Sequence, residues 1–425
     1  MRKSWRWGVV GLLFLATLLN YLDRQTISVS ATVISREFGL NDADLGKLFF
    51  GFLFSYGITQ LFIGTFLDRL NVRIAYTAAV LAWSMAGAAA VLATGFWSLF
   101  LLRVLLGFCE SPNWPLALRV VARTIPPEQR SLATGIFQSG TSIGALVAAP
   151  IIIFLTQAYG WRFAFVAVVL VGVLWAVLWL SLYRQDESVD DYVSSPKNSV
   201  NSTAQNDALP DYSPSTIKEL FRSRTFWGLF IASCFLQPLQ YFYITWLPRY
   251  FEAYAGVAFG KELAQRLVIV YLTLDLGFLT GGALVILLAR KLQVRQARTL
   301  VISVGALLMI SIPVVSQLRD INWITAFLCI ATFGLGWFQV NYLTFTSEVS
   351  VKRASTATGL LGGAGSLAGA AFMLFVGGTV ERSGSFSIAF VIAGLMPLVA
   401  LLGIFISTRQ VKEAGPHTVP RSHAV

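Results

Sequence analysis

Apolar residues along this chain come in long unbroken stretches rather than in the short alternating runs of a sheet. Stretches of about 20 residues, the length a helix needs to cross a hydrocarbon core about 30 Å thick, recur over 7–34, 48–67, 73–94, 96–121, 131–157 and 161–183. A second set covers 223–250, 266–290, 299–316, 320–347, 354–380 and 385–407. The pattern predicts an all-α integral membrane protein with twelve transmembrane helices. Between the two sets, 184–222 turns to Asp, Ser, Asn and Pro, a composition that cannot bury enough apolar surface to fold alone. The expected organisation is a six-helix bundle over 1–183, a polar linker over 184–222, a second six-helix bundle over 223–407 and a tail over 408–425. Two such halves fit a parallel-repeat plan whose ligand site lies at the bilayer midplane between them.

Composition agrees. Hydrophobic residues make up 56% of the 425 and charged residues 12%, about half the roughly 25% typical of soluble domains, which excludes an ordinary soluble enzyme. The formal charge of +11 is spread over many short connections, not gathered into the basic stripe that nucleic acid requires. Of the 32 Lys and Arg, 22 flank the side of the membrane that holds the N-terminus, 8 flank the other side, and Arg24 and Arg103 lie inside spans. Short loops rich in Lys and Arg stay cytoplasmic, so both termini and the linker are expected in the cytoplasm. That placement leaves the Asn201-Ser202-Thr203 sequon unglycosylated. Arg2, Lys3 and Arg6 precede an apolar run without a small-residue cleavage site, which reads as an uncleaved first helix. Cys109, Cys234 and Cys329 are scattered among apolar residues, and His417 and His423 sit in the tail. Neither a metal site nor a cofactor is implied, and no nucleophile–base pair marks an enzyme.

Three polar interruptions carry candidate chemistry. In the first span, Asn20-Tyr21-Leu22-Asp23-Arg24-Gln25-Thr26 breaks an apolar helix that resumes at Ile27, Val29, Val33 and Ile34. Asp23 and Arg24 therefore fall near the middle of a helix, with Asn20 angularly between them one turn back. In the fourth span, Arg103 and Glu110 are seven residues apart, only about 20° around a helix, and share one face. Charges at this depth are costly and by default face a partner or a wet cavity. Pro112 and Pro115 are expected to bend or loosen the helix beyond them. Between the second and third spans runs Gly64-Thr-Phe-Leu-Asp68-Arg69-Leu-Asn-Val-Arg73. Gly64 permits close helix approach, and Asp68 can receive a helix end or an arginine, latching one conformation. The equivalent stretch of the second half, Gly282 to Arg290-Lys291, lacks the aspartate.

The latch run resembles the Gly-x-x-x-Asp-Arg-x-Gly-Arg-Arg signature of major facilitator transporters. More specifically, Asn20, Tyr21, Asp23 and Arg24 match a first-span run of the anion:cation symporter family, and Arg103, Gly107, Glu110 and the prolines match its fourth-span run. Gly160-Trp161-Arg162-Phe163-Ala164-Phe165, Tyr241-Phe242 and Thr245-Trp246-Leu247-Pro248 add to the likeness, which covers nearly the whole chain. Among subgroups, Asp275-Leu-Gly277, Gly281-Gly282 and Gly305-Ala-Leu-Leu-Met309 make bacterial hexuronate and aldonate carriers the most similar. The resemblance implies a monomeric proton symporter of the bacterial inner membrane that imports a small anionic sugar acid by alternating access. Asp23 and Glu110 would carry protons, and Arg24 and Arg103 would bind the carboxylate, with Tyr21 beside them.

Related carriers often hold asparagines in the eleventh span, where Gly359, Gly362, Gly363, Gly365 and Gly369 stand here. Hydroxyl recognition is then expected from Asn341, Gln339 or Thr344 in the tenth span, unless these are polar residues satisfied by a neighbouring helix. Tyr56, Gln138, Gln240 and Tyr243 lie in helices that can face the cavity. Asp275 is read as a structural partner rather than a third proton site. The competing functions are an exporter of amphipathic compounds, against which the buried arginines argue, and a transporter-like nutrient sensor, for which the short tail supplies no output segment.

Overall fold

A computed structural model of the chain describes residues 3–67, 70–125, 130–183, 217–348 and 354–408. Described residues are helical almost throughout. The first half runs through α1 (Lys3–Val29), α2 (Ala31–Phe38), α3 (Asp42–Leu67), α4 (Val72–Ala88), α5 (Phe96–Glu110), α6 (Asn113–Thr124), α7 (Arg130–Tyr159) and α8 (Trp161–Leu182). After the short α9 (Ile217–Arg222) come α10 (Arg224–Ala253), α11 (Lys261–Leu288), α12 (Val294–Met309), α13 (Ile321–Glu348), α14 (Ala354–Ser383) and α15 (Ser387–Thr408).

Ten of these helices, two of them with their short extensions, are long and apolar enough to cross a membrane. The fourth predicted span falls short because it breaks. Helix α5 stops at Glu110, and Pro112 caps the start of the 12-residue α6. Proline lacks an N–H and cannot continue the ladder, so the expected bend is a full interruption. The seventh span, α10, has the length at 30 residues, but Gln, Tyr, Trp and two internal prolines dilute its apolar character. The first span also differs from a single helix, with a turn at Ser30 between α1 and α2. The Ile34 N–H still bonds to the Ser30 carbonyl, so the rod continues to Gly39. There a positive φ of 64° ends it, and the Gly39 position caps α2.

Most of 184–222 and nearly all of 408–425 lie outside the described residues, as do Asp68 and Arg69. Within the predicted linker, Ile217–Arg222 is helical and buries Leu220, so the apolar side of this segment packs where a wholly polar linker was expected.

The main packing pairs are α3 with α14, α1 with α7, α11 with α13, and α10 with both α14 and α15. Small residues let these backbones touch, the usual device where lipid removes the hydrophobic drive between helices. A Cβ built on Gly46 of α3 would lie 2.8 Å from the Met373 carbonyl of α14, and one on Gly57 would lie 3.2 Å from the Gly363 carbonyl. The eleventh-span glycines are thus occupied by packing: a Cβ on Gly365 would meet Ser233 and Gln237, and one on Gly369 would meet Tyr241. Outward faces carry bare apolar side chains such as Phe62, Trp97, Leu279 and Ile286, as a lipid-facing surface requires.

Polar contacts between the two halves gather at the end of the bundle opposite Lys3. Asp42 at the start of α3 accepts from Arg249 Nε at 2.8 Å and from the Tyr254 hydroxyl, while its N–H donates to Glu381 at 3.0 Å. Gln157 of α7 donates to the Phe259 carbonyl at 3.0 Å. Nearby, within the first half, Glu37 is clasped by Trp161 and Arg162, each at 2.6 Å.

Candidate functional site

Adjacent residues on a helix point about 100° apart, and at the middle of α1 that divergence sends two charges to different neighbours. Arg24 reaches α5, where its Nε donates to Glu110 Oε2 at 2.7 Å. Asp23 turns to α4, where a methyl group on Gly87 would stand 2.9 Å from its Oδ1. Glycine at that position makes room for the carboxylate. Asn20, one turn back, lies beside Glu110.

Arg103, two turns before Glu110 on α5, does not pair with it at salt-bridge distance. Its guanidinium lies over the Phe52 ring, 4.4 Å from the centroid. Gly107 allows this, because any side chain there would run into the Phe52 carbonyl and Ser55 of α3. Arg24 is likewise set among rings, 4.6 Å from Tyr56 and 5.1 Å from both Tyr21 and Phe52. Aromatic faces attract a guanidinium without consuming its N–H donors. Asp23, Arg24, Arg103 and Glu110 are 2, 8, 6 and 0% exposed. Arg103 Nε and Nη1, Arg24 Nη2, Asp23 Oδ2 and Glu110 Oε1 are buried without a hydrogen-bond partner. Such groups are expensive unless a ligand or proton completes them.

Two adjoining chambers lie between the halves. One is lined by Arg24 and Arg103 with Tyr21, Ser28, Tyr241 and Thr245. The other is lined by Gln240, Tyr271 and Asp275 with Tyr21 and Thr141. Tyr21 and Ile244 belong to both. Space for the centre of a water-sized sphere is only about 20 and 10 Å³, room for about one water each, so a larger ligand requires the chambers to widen.

Of the residues singled out in the sequence, Tyr21, Arg24, Arg103 and Gln240 line these chambers, and Tyr56 and Glu110 support Arg24. Asp23 stands behind them. Tyr243 is fully buried in the core. Gln240, Tyr241, Ile244 and Thr245 form the cavity-facing wedge of α10, and Tyr243 falls roughly 130° from its middle. Asn341 donates to the Trp337 carbonyl of its own helix at 2.9 Å and lines neither chamber. Gln339 donates to the Gln240 carbonyl of a neighbouring helix, the alternative weighed for it, and lines neither chamber. Gln138 is half-buried on α7 and also lines neither chamber.

Of the latch candidates, Gly64 lies in α3 and Arg73 in α4, where Arg73 donates to the Leu180 carbonyl of α8. Asp68 and Arg69 lie outside the described residues. The end of α3 is held from α6, by Arg119 Nη1 on the carbonyls of Leu67 at 2.5 Å and Leu70 at 2.9 Å.

Sequence reasoning missed Phe52, Ser28, Tyr271 and the site role of Tyr241 and Thr245. The last two were legible as an i, i+4 pair on one face. The Phe52–Tyr56 pair under the arginines has the same spacing.

The profile of the Major Facilitator Superfamily matches residues 13–373. A D-galactonate transporter of Escherichia coli is 26% identical over 420 residues, 96% of this chain and 97% of that protein. A probable galactarate/D-glucarate transporter of Bacillus subtilis is 28% identical over 434 residues, covering 97% and 93%. A hexuronate transporter of Escherichia coli is 26% identical over 407 residues, covering 95% and 92%. Among solved structures, a D-xylose-proton symporter superposes with a TM-score of 0.73 at 16% identity, covering 94% and 97%. An inward-facing, unoccupied bacterial homologue of the human lysosomal transporter Spinster superposes at 0.71 and 20%, covering 96% and 95%. A helical membrane fold with a charged cavity between two halves, and a family match across most of its length, make this chain a member of the major facilitator superfamily of transporters.

Proposed function

We propose that this transporter imports a sugar acid together with protons, by alternating access across a bacterial inner membrane, as a monomer with both termini in the cytoplasm. The observation that carries the reading is the buried quartet Asp23, Arg24, Arg103 and Glu110, whose arginines line a chamber and keep unbonded N–H donors. A guanidinium's planar fork matches a carboxylate through two parallel hydrogen bonds. Formally the quartet is neutral, with two positive and two negative groups. An arriving carboxylate leaves one negative charge in excess, and a proton taken up by Asp23 or Glu110 restores neutrality. The anion and its proton together then add no net charge to the low-dielectric core through the reorientation. Linkage makes the effect mutual, since a proton that favours the anion is itself favoured by it.

The relatives named for galactonate, galactarate/glucarate and hexuronate transport support the substrate class, and the xylose-proton symporter's fold is compatible with the coupling. Contacts of Asp42 with Arg249, Tyr254 and Glu381 close the end opposite Lys3. With the termini in the cytoplasm that end is periplasmic, so the arrangement is closed to the periplasm.

The test is uptake into proteoliposomes loaded with purified protein. Labelled glucuronate and galactonate should accumulate under an inside-alkaline gradient, and a protonophore should return them to equilibrium. Uptake indifferent to the gradient overturns the coupling. Failure to carry any sugar acid, alongside dye efflux, replaces the reading with an exporter.

A further inference from the structure

Charge changes sign across the shared side chains of the two chambers. On one side of Tyr21 and Ile244 stand Arg24 and Arg103, and on the other stands Asp275. Asp275 lies on α11 of the second half, with its Oδ1 buried and its neighbours Gln240 and Tyr271 in the same chamber. Gln339 donates to the Gln240 carbonyl, which commits that oxygen and orients the amide. Once the chambers widen, a ligand lying across both would set a carboxylate against the arginines and its far end against Asp275 and Gln240.

We propose that Asp275 is a specificity-determining residue, accepting hydroxyls at the far end of the ligand and selecting sugar acids with one carboxylate over those with two. This rests on the reading of the cavity as a sugar-acid site. An ionised carboxylate only accepts hydrogen bonds, so it suits the O–H donors of a polyol chain. A second carboxylate brings no donor and a like charge, and the repulsion is strongest where water is scarce. An aldonate or hexuronate satisfies both ends, whereas an aldarate satisfies one. Relatives named for both classes stand at 26 to 28% identity, so overall likeness does not separate them, and the chamber's chemistry does.

The experiment is a thermal-shift and calorimetric comparison of the purified full chain with galactonate and glucuronate against galactarate and glucarate. Wild type should bind the monoacids about tenfold or more tightly than the diacids, a factor that each 1.4 kcal/mol supplies. Asp275→Asn, which keeps the shape and removes the charge, should shrink that ratio at least about threefold by gaining affinity for the diacids. A ligand-side measurement stands apart from folding of the variant. Capping one carboxylate of glucarate as its amide should restore binding to wild type. Equal wild-type affinity for mono- and diacids, an unchanged ratio in Asp275→Asn, or no gain from the amide overturns this proposal alone. Binding of no sugar acid of either kind overturns it together with the function it rests on.

Discussion

The two walls of the cavity are built from different chemistry. The wall from α1, α3 and α5 holds two arginines and two carboxylates among aromatic rings, with Glu110 fully buried against Arg24. The wall from α10, α11, α13 and α14 holds amides, hydroxyls and Asp275, tied by the Gln339–Gln240 bond and the 3.0 Å contact of Tyr241 with Ser366. The ion-paired and ring-stacked charges thus lie in the first half, and the amides and hydroxyls, with Asp275, lie in the second. Changes at the carboxylates of the first wall should therefore alter the driving force, changes at its arginines the hold on the ligand's carboxylate, and changes in the second wall which ligand fits.

The largest expected effect breaks the comparison at its charged side. Asp23→Asn and Glu110→Gln remove a proton site each while keeping side-chain shape. Accumulation under a pH gradient should fall to the equilibrium level, while counterflow at equal pH persists. If both variants still concentrate substrate like wild type, the first wall does not couple protons. Next in size, Arg103→Lys keeps the charge but loses the fork. Hydrogen bonds to charged groups contribute about 1.5–3 kcal/mol, so calorimetry should show substrate Kd rising by about tenfold or more. An unchanged Kd in folded protein would leave Arg103 as a partner of Phe52 and the quartet only.

A smaller effect is expected across the cavity. Gln240→Leu removes a neutral partner worth about 0.5–1.5 kcal/mol, so affinity should drop roughly two- to tenfold while the gradient dependence of uptake stays. Loss of gradient dependence in that variant would erase the division between the walls.

The smallest effect lies outside both, at the clasp of α2 on α8. The Trp161 indole N–H holds the Glu37 carboxyl below its usual range, with Arg162 adding to it. A lowered folded value means the clasp stabilises above the unfolded value of about 4.3 and is lost as pH falls through the folded value. Glu37→Gln should flatten the acid limb of a melting-temperature profile while leaving neutral-pH uptake near wild type. An identical acid limb in both proteins would show that the clasp contributes nothing measurable, as many exposed pairs do.

The latch regions offer a parallel contrast. Gly64 to Arg73 was readable as a conformational latch, yet Arg73 is spent on the Leu180 carbonyl within its own half, and the end of α3 is held by Arg119. Arg119 carries no signal in the local motif because it lies about fifty residues further along the chain. Asn341 and Gln339 make the same point at closer range. Both are amides of α13, two residues apart, and only Gln339 turns toward Gln240, while Asn341 folds back onto Trp337. Two residues are about 200° on a helix, so one reached Gln240 and the other could not.

Much of the architecture was determined by the sequence alone, because crossing a bilayer is a local demand. Each span must be long, apolar and internally hydrogen-bonded, and that requirement is written in consecutive residues. The same demand exposed Asp23, Arg24, Arg103 and Glu110, whose cost in lipid makes them conspicuous wherever they fall. Only the tertiary structure decided their partners. Arg24 bonds to Glu110, 86 positions away, rather than to its neighbour Asp23, and Arg103 rests on Phe52 rather than on Glu110. The placement of Asp275 across Tyr21 from the arginines was equally out of reach. Such pairings depend on how far each helix is rotated about its axis and on its register against the next. Those quantities are set here by close backbone approach at Gly107 and by the Asp23 carboxylate seated against Gly87, a property of two helices together that neither sequence segment contains.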